Sequence, residues 1–112
     1  MTHDDRRRSP RVEMMGRMQG RTVALGLSVR VREISLGGMS VETAEPFELN
    51  SVHQFSLTLG DGATIQLTGR VLRTARVAPD GHPVHFVSGI QFIDDDSEGD
   101  VSGIIQKAKT DN

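Results

Sequence analysis

From Val23 to Arg32 the chain alternates: Val23, Leu25, Leu27, Val29 and Val31 take one parity, and Ala24, Gly26, Ser28, Arg30 and Arg32 take the other. Period two across this run predicts one half-buried strand over Thr22 to Ile34, with both arginines on its outer face. After a Ser-Leu-Gly-Gly turn, Met39, Val41 and Thr43 alternate again until Glu45-Pro46 stops the strand. Phe55, Leu57 and Leu59 predict the next strand, Gly60-Asp61-Gly62 a hairpin turn, and Ile65, Leu67, Val71 and Leu72 the return. Pro79-Asp80-Gly81 marks another turn before a last strand over Val84 to Ile93. Residues 11–19 hold a weaker pattern and read as a lead-in strand, which brings the expectation to about six strands.

The period then changes. Val101, Ile104, Ile105 and Ala108 stand at helical spacing, with Ser97 as N-cap, Glu98 and Asp100 in the first turn, and Lys107 and Lys109 in the last. These features predict a short amphipathic helix over 96–109, packed on a mouth or side of the strands, although Gly99 and Gly103 weaken it. Short alternating runs punctuated by twelve glycines in 112 residues point to an all-β barrel or sandwich with one core. The chain reads as one domain, with an arm over 1–11, a barrel over 12–94 and the helix.

Composition narrows the functional classes. There is no cysteine, so neither a disulfide framework nor a thiolate metal site is expected, which suits a reducing cytoplasm. No apolar run approaches a membrane span or a signal peptide. The formal net charge of −2 hides an asymmetry: Arg6 to Arg32 holds eight arginines against one acid, Glu13, while the rest has five basic and fourteen acidic residues. Such an imbalance focuses an anion on one region without making the whole chain a polyanion binder.

The densest basic stretch is Arg6-Arg7-Arg8-Ser9-Pro10-Arg11. Pro10 favours an extended or turned backbone, and guanidinium forks bind phosphate and the O6/N7 edge of guanine. The stretch alone fits a solvated tail as well as an anion grip. A second feature, Glu33-Ile34-Ser35-Leu36-Gly37-Gly38, closes the best strand. Its carboxylate and hydroxyl share a face, and that face is the outer one only if the register slips after Arg32, as a bulge would cause. Gly38 permits a positive dihedral or a close ligand approach. By itself the stretch is equally a plain turn between strands.

Other candidates carry less. His82 and His85 flank Pro83 with no further metal ligand nearby, and Asp94 to Asp96 lack the glycine and spacing of a calcium loop, so no metal is expected. His53 reads as a surface residue. Arg70, Arg73 and Arg76 read as a solvated strand face. Neither a nucleophile constellation nor a paired-carboxylate site is visible, so no enzyme is expected. Scarce aromatics and an acidic back half count against a nucleic-acid polymer as partner.

Taken in order, RxxxR at Arg7 and Arg11 followed by Glu33, Ser35 and Gly38 resembles the PilZ family. ISLGGMSVET, GRVLR and GIQFID extend the likeness along nearly the whole chain. The resemblance implies a six-stranded antiparallel barrel, bacterial second-messenger signalling, and nucleotide binding of cyclic di-GMP. It implies Arg6, Arg7, Arg8, Arg11, Glu33, Ser35, Gly37 and Gly38 as ligand residues, with ligand binding ordering the arm and output passing through an effector protein. Arg6, directly before RxxxR, is the family's mark of an intercalated ligand dimer. Glu33 departs from the family's Asp or Asn. Its extra methylene re-aims a charge-assisted hydrogen bond worth roughly 1.5–3 kcal/mol, which keeps open an alternative: a PilZ-like adaptor that has lost the nucleotide.

Overall fold

In the computed structural model, residues 11–93 and 98–110 are described. Seven strands and one helix follow in order: β1 (Val12–Glu13), β2 (Met18–Thr22), β3 (Ser28–Ser35), β4 (Gly38–Thr43), β5 (Val52–Leu59), β6 (Thr64–Val77), β7 (His85–Phe92) and α1 (Glu98–Thr110). Every pairing is antiparallel. Neighbours run β3-β2-β5-β6-β7-β4, and the β3–β4 pairing joins the ends. Six strands thus close into a barrel, and β1 is an extra strand on the outer edge of β3.

The alternating parity fills the interior as expected. Val29, Val31 and Ile34 of β3 meet Val41 of β4, Phe55 and Leu57 of β5, Leu67 and Val71 of β6 and Ile90 of β7, all buried. Each such side chain contributes on the order of 1.5–3 kcal/mol of transfer free energy. Closure also leaves the six barrel strands with no free edge to template aggregation.

The expected strand over Thr22 to Ile34 is broken. Its alternation runs through a tight turn between β2 and β3, where Gly26 takes φ +68°, a conformation that side-chain-bearing residues avoid. The turn is fastened by Gly26 N–H donating to Thr22 O and by Leu27 N–H donating to the Thr22 hydroxyl, at 2.9 and 3.1 Å. Val23 and Leu25 are therefore solvent-exposed, not core. The lead-in strand over 11–19 is likewise two strands, β1 and β2, reversed at Gly16 with Arg17 N–H on Met14 O at 2.8 Å.

The helix closes one mouth of the barrel. Val101, Ile104, Ile105 and Ala108 are buried as the spacing predicts, and α1 packs on β1 and β3. Arg17 reaches from the β1–β2 turn to donate to Ala108 O at 3.1 Å, satisfying a terminal carbonyl, and Lys107 pairs with Asp61 of the β5–β6 turn. Residues 94–97, which include the expected cap Ser97 and the Asp94 to Asp96 run, lie outside the described residues. Among the described residues, no helix is long and apolar enough to cross a membrane.

Candidate functional site

Strict alternation along β3 would send Val29, Val31 and then Glu33 into the barrel. A buried unpaired carboxylate is costly, and the strand avoids it with a bulge. Val31 pairs with Val41 while Glu33 pairs with Ser40, so one extra residue sits between them. Beyond that slip Ile34 points inward, and Glu33 and Ser35 point outward.

The same device recurs on β6. Leu67, Gly69 and Val71 face the interior, and regular alternation would bury Arg73 next. Instead Val71 pairs with Ile90 and Arg73 with Gly89, leaving Leu72 as the extra residue. Leu72 and Arg73 both emerge on the outer wall, while Thr74 turns back to bond the buried Ser88 hydroxyl at 3.0 Å. Two bulges on non-adjacent strands thus deliver one anionic and one cationic side chain to the same exterior surface.

Between them lies a hollow of about 420 Å³ on the outer wall of β4, β7 and β6. Arg11, Glu33, Ser35, Gly37, Gly38 and Ser40 line one side, and Leu72, Arg73, Gly89 and Gln91 the other. Arg11 Nη1 stands 3.3 Å from Glu33 Oε1, with both side chains well exposed. The Ser35 hydroxyl reaches Gly38 O at 3.4 Å, a long contact that leaves it available to another partner.

The glycines divide by role. A Cβ on Gly38 would overlap the carbonyl oxygen of Ile90 across the β4–β7 pairing, and Gly38 is not among the residues with positive φ. Its requirement is close strand approach. Gly37 faces open space. Gly89 leaves the floor clear for Arg73, whose Nε and Cγ would stand 3.2 and 3.3 Å from a Cβ there. The Arg73 side chain accordingly lies across the β7 backbone, with its planar head beside the hollow.

Five residues singled out in the sequence, Arg11, Glu33, Ser35, Gly37 and Gly38, come together here. Arg6, Arg7 and Arg8 lie outside the described residues. Sequence reasoning gave Arg73 to a solvated face and had no signal for Ser40 or Gln91. The adjacent apolar pair Val71-Leu72 is the trace of the bulge that redirects Arg73. Arg70 and Arg76 do not line the hollow.

A larger hollow of about 910 Å³ lies at the uncapped mouth, between the β2–β3 turn, residues 43–48 and the β6–β7 loop. Its rim carries Glu42, Glu45 and Glu48 against Arg30. Glu42 is engaged by Arg32 at 3.7 Å and by Arg30 and His85 at 4.0 Å. An anionic ligand would meet surplus negative charge there, so the smaller, arginine-lined hollow is the better anion site. His53 is not a plain surface residue: its ring is half-buried between Phe47 and Phe55, with Ser51 Oγ 2.8 Å from Nε2. Among the described residues, no group of three or more His, Asp or Glu could hold a metal.

The family model of the PilZ domain matches residues 5–107. Three solved structures share the fold. The PilZ domain of YcgR from Escherichia coli, solved with c-di-GMP, superposes with a TM-score of 0.75 at 17% identity, covering 95% of this chain and 93% of that one. MrkH, described as a c-di-GMP-dependent transcription regulatory factor, gives 0.74 at 16% identity, covering 94% of this chain and 52% of its own. The K. pneumonia MrkH–c-di-GMP complex gives 0.69 at 20% identity, covering 94% and 55%. This chain therefore spans about half the length of MrkH. No curated protein sequence matches it.

Proposed function

The chain belongs to the PilZ domain family, and on that premise we propose that it is a single-domain receptor for cyclic di-GMP, held in the hollow on the outer wall of β4, β7 and β6. One observation supports this reading above the others. The two bulges aim Glu33 and Arg73 into the hollow that Arg11, Ser35 and Gly37 already line.

The chemistry of the ligand meets that of the residues. Arg11, with Arg6, Arg7 and Arg8 just before it in the chain, supplies guanidinium forks for two phosphates and for the guanine acceptor edge. Glu33 accepts from guanine N–H donors and Ser35 offers a hydroxyl. Arg73 adds a planar cation on which a base can stack. Gly37 admits the ligand without a side chain in the way. Arg6 favours an intercalated ligand pair, whose four phosphate charges need the additional cations.

Glu33 does not block this site. Its pairing with Arg11 is solvent-exposed, and such pairs are worth only about 0–1 kcal/mol. Each charge-assisted hydrogen bond to the ligand contributes roughly 1.5–3 kcal/mol, so opening the pair is outweighed by the first contact made. The longer side chain lowers affinity without abolishing it. Ligand capture orders the arm over 1–11 against the barrel, and the new surface is read by a separate effector protein in the cytoplasm.

Calorimetry of the purified chain with cyclic di-GMP tests the reading. Saturable heat that disappears in Arg11→Ala is the expected result. Heat indistinguishable from dilution at high micromolar ligand would overturn it in favour of the second reading, an adaptor that works through protein contacts alone. The Arg11–Glu33 pair, satisfied without any ligand, is what favours that alternative.

A further inference from the structure

The barrel treats its two mouths differently: α1 buries four apolar side chains over one, while the other is left with the 910 Å³ hollow. Phe47 is buried at this open mouth, and around it Leu25 is 71% exposed and Val84 42% exposed. Apolar side chains this accessible, grouped around one concavity, mark a contact surface. The rim adds a sign. Glu42 is neutralised by Arg30, Arg32 and His85, whereas Glu45 and Glu48 form no ion pair among the described residues.

Those two carboxylates stand on a fixed ledge. The Thr43 hydroxyl donates to Glu45 O at 2.6 Å and the Ser51 hydroxyl to Glu48 O at 2.5 Å, which pins the backbone of the segment after β4. A fixed backbone lowers the ordering cost of binding at its side chains. We propose that this open mouth docks an extended protein segment that carries a lysine or arginine beside apolar side chains. The apolar residues enter the hollow against Leu25, Phe47 and Val84, and the cation meets Glu45 and Glu48. Nucleic acids and anionic lipid surfaces have the wrong charge for this rim. The inference does not rest on the nucleotide reading, because β3, β4 and β7 separate the two hollows by most of a strand length.

The test is selection of random twelve-residue peptides displayed on phage against the full chain without nucleotide, followed by synthesis of the enriched peptide. Enrichment of a Lys or Arg next to Leu, Ile or Phe is expected, with amide shifts at Leu25, Ala44, Glu45, Glu48 and Val84 on titration. The Glu45→Lys/Glu48→Lys variant should bind the peptide about tenfold more weakly. Leu25→Ser should weaken it similarly, and neither should alter the circular dichroism spectrum, since both sites are exposed. Several outcomes overturn the proposal: no enrichment, an acidic consensus, shifts confined to other surfaces, or unchanged affinity after charge reversal. A concentration-dependent dimer abolished by Leu25→Ser would overturn it too, because the mouth would then be occupied by a second copy. Absence of cyclic di-GMP heat in a chain that still binds the peptide counts against the nucleotide reading only.

Discussion

The outer-wall hollow and the open mouth are built on the same three strands and have opposite character. β3 carries Arg30 toward the mouth and Glu33 into the hollow, β4 runs from Gly38 to Glu42, and β7 from His85 to Gln91. The smaller hollow offers Arg11 and Arg73 to an anion; the larger presents surplus carboxylates beside exposed apolar side chains. Size is therefore a poor guide to which of them takes a nucleotide. What separates them is where the bulges fall, since a shift of one residue decides whether Glu33 and Arg73 point into the barrel or out of it.

The comparison is broken most severely at Gly38. Gly38→Val should remove at least 2 kcal/mol of stability in urea denaturation, because its side chain collides with the Ile90 carbonyl in the pairing both hollows share. Gly37→Ala, in open space, should stay within about 1 kcal/mol of the parent in the same experiment. If the two variants denature alike, strand approach is not what Gly38 provides.

Next in size come the cations of the outer wall. Arg11→Ala and Arg73→Ala should each weaken cyclic di-GMP roughly tenfold to a hundredfold by calorimetry, with peptide binding at the open mouth unchanged. An Arg73→Ala chain with parental affinity would return that residue to the solvated strand face. The smallest effect belongs to Glu33→Asp. Shortening the side chain withdraws it from Arg11 and restores the family's residue, so affinity should rise by less than about tenfold. A large fall would mean that the glutamate reaches a contact the aspartate cannot make.

Alternation along β4, β5 and β7 was readable because each strand stays in register from end to end, and the i, i+3, i+4 spacing of Val101, Ile104, Ile105 and Ala108 was readable for the same reason in a helix. The Thr22 to Ile34 run misled because a turn of suitable length preserves parity: Val23 and Leu25 keep the pattern yet sit on a reversal. Gly26, which looked like one more outward position, was the signal that the chain turns there. Of the candidate site, Arg11, Glu33, Ser35, Gly37 and Gly38 were legible from their order along the chain. Arg73, Ser40 and Gln91 were not, since they join the hollow only through pairing across β4, β7 and β6.

By itself the sequence determined the fold class, the capping helix and the order of the arginine and Glu-x-Ser-x-x-Gly segments, because hydrophobic period and turn residues act locally. Tertiary structure alone decided which charges share a surface. Ring closure sets β6 beside β7 and β7 beside β4, and only then do a bulge at Arg32-Glu33 and another at Leu72-Arg73 face the same hollow. It also decided that one mouth is closed by α1 and the other left open with Glu45 and Glu48 on its rim. Neither outcome follows from a local pattern, for each depends on strands that lie far apart along the chain and become neighbours only when the barrel shuts.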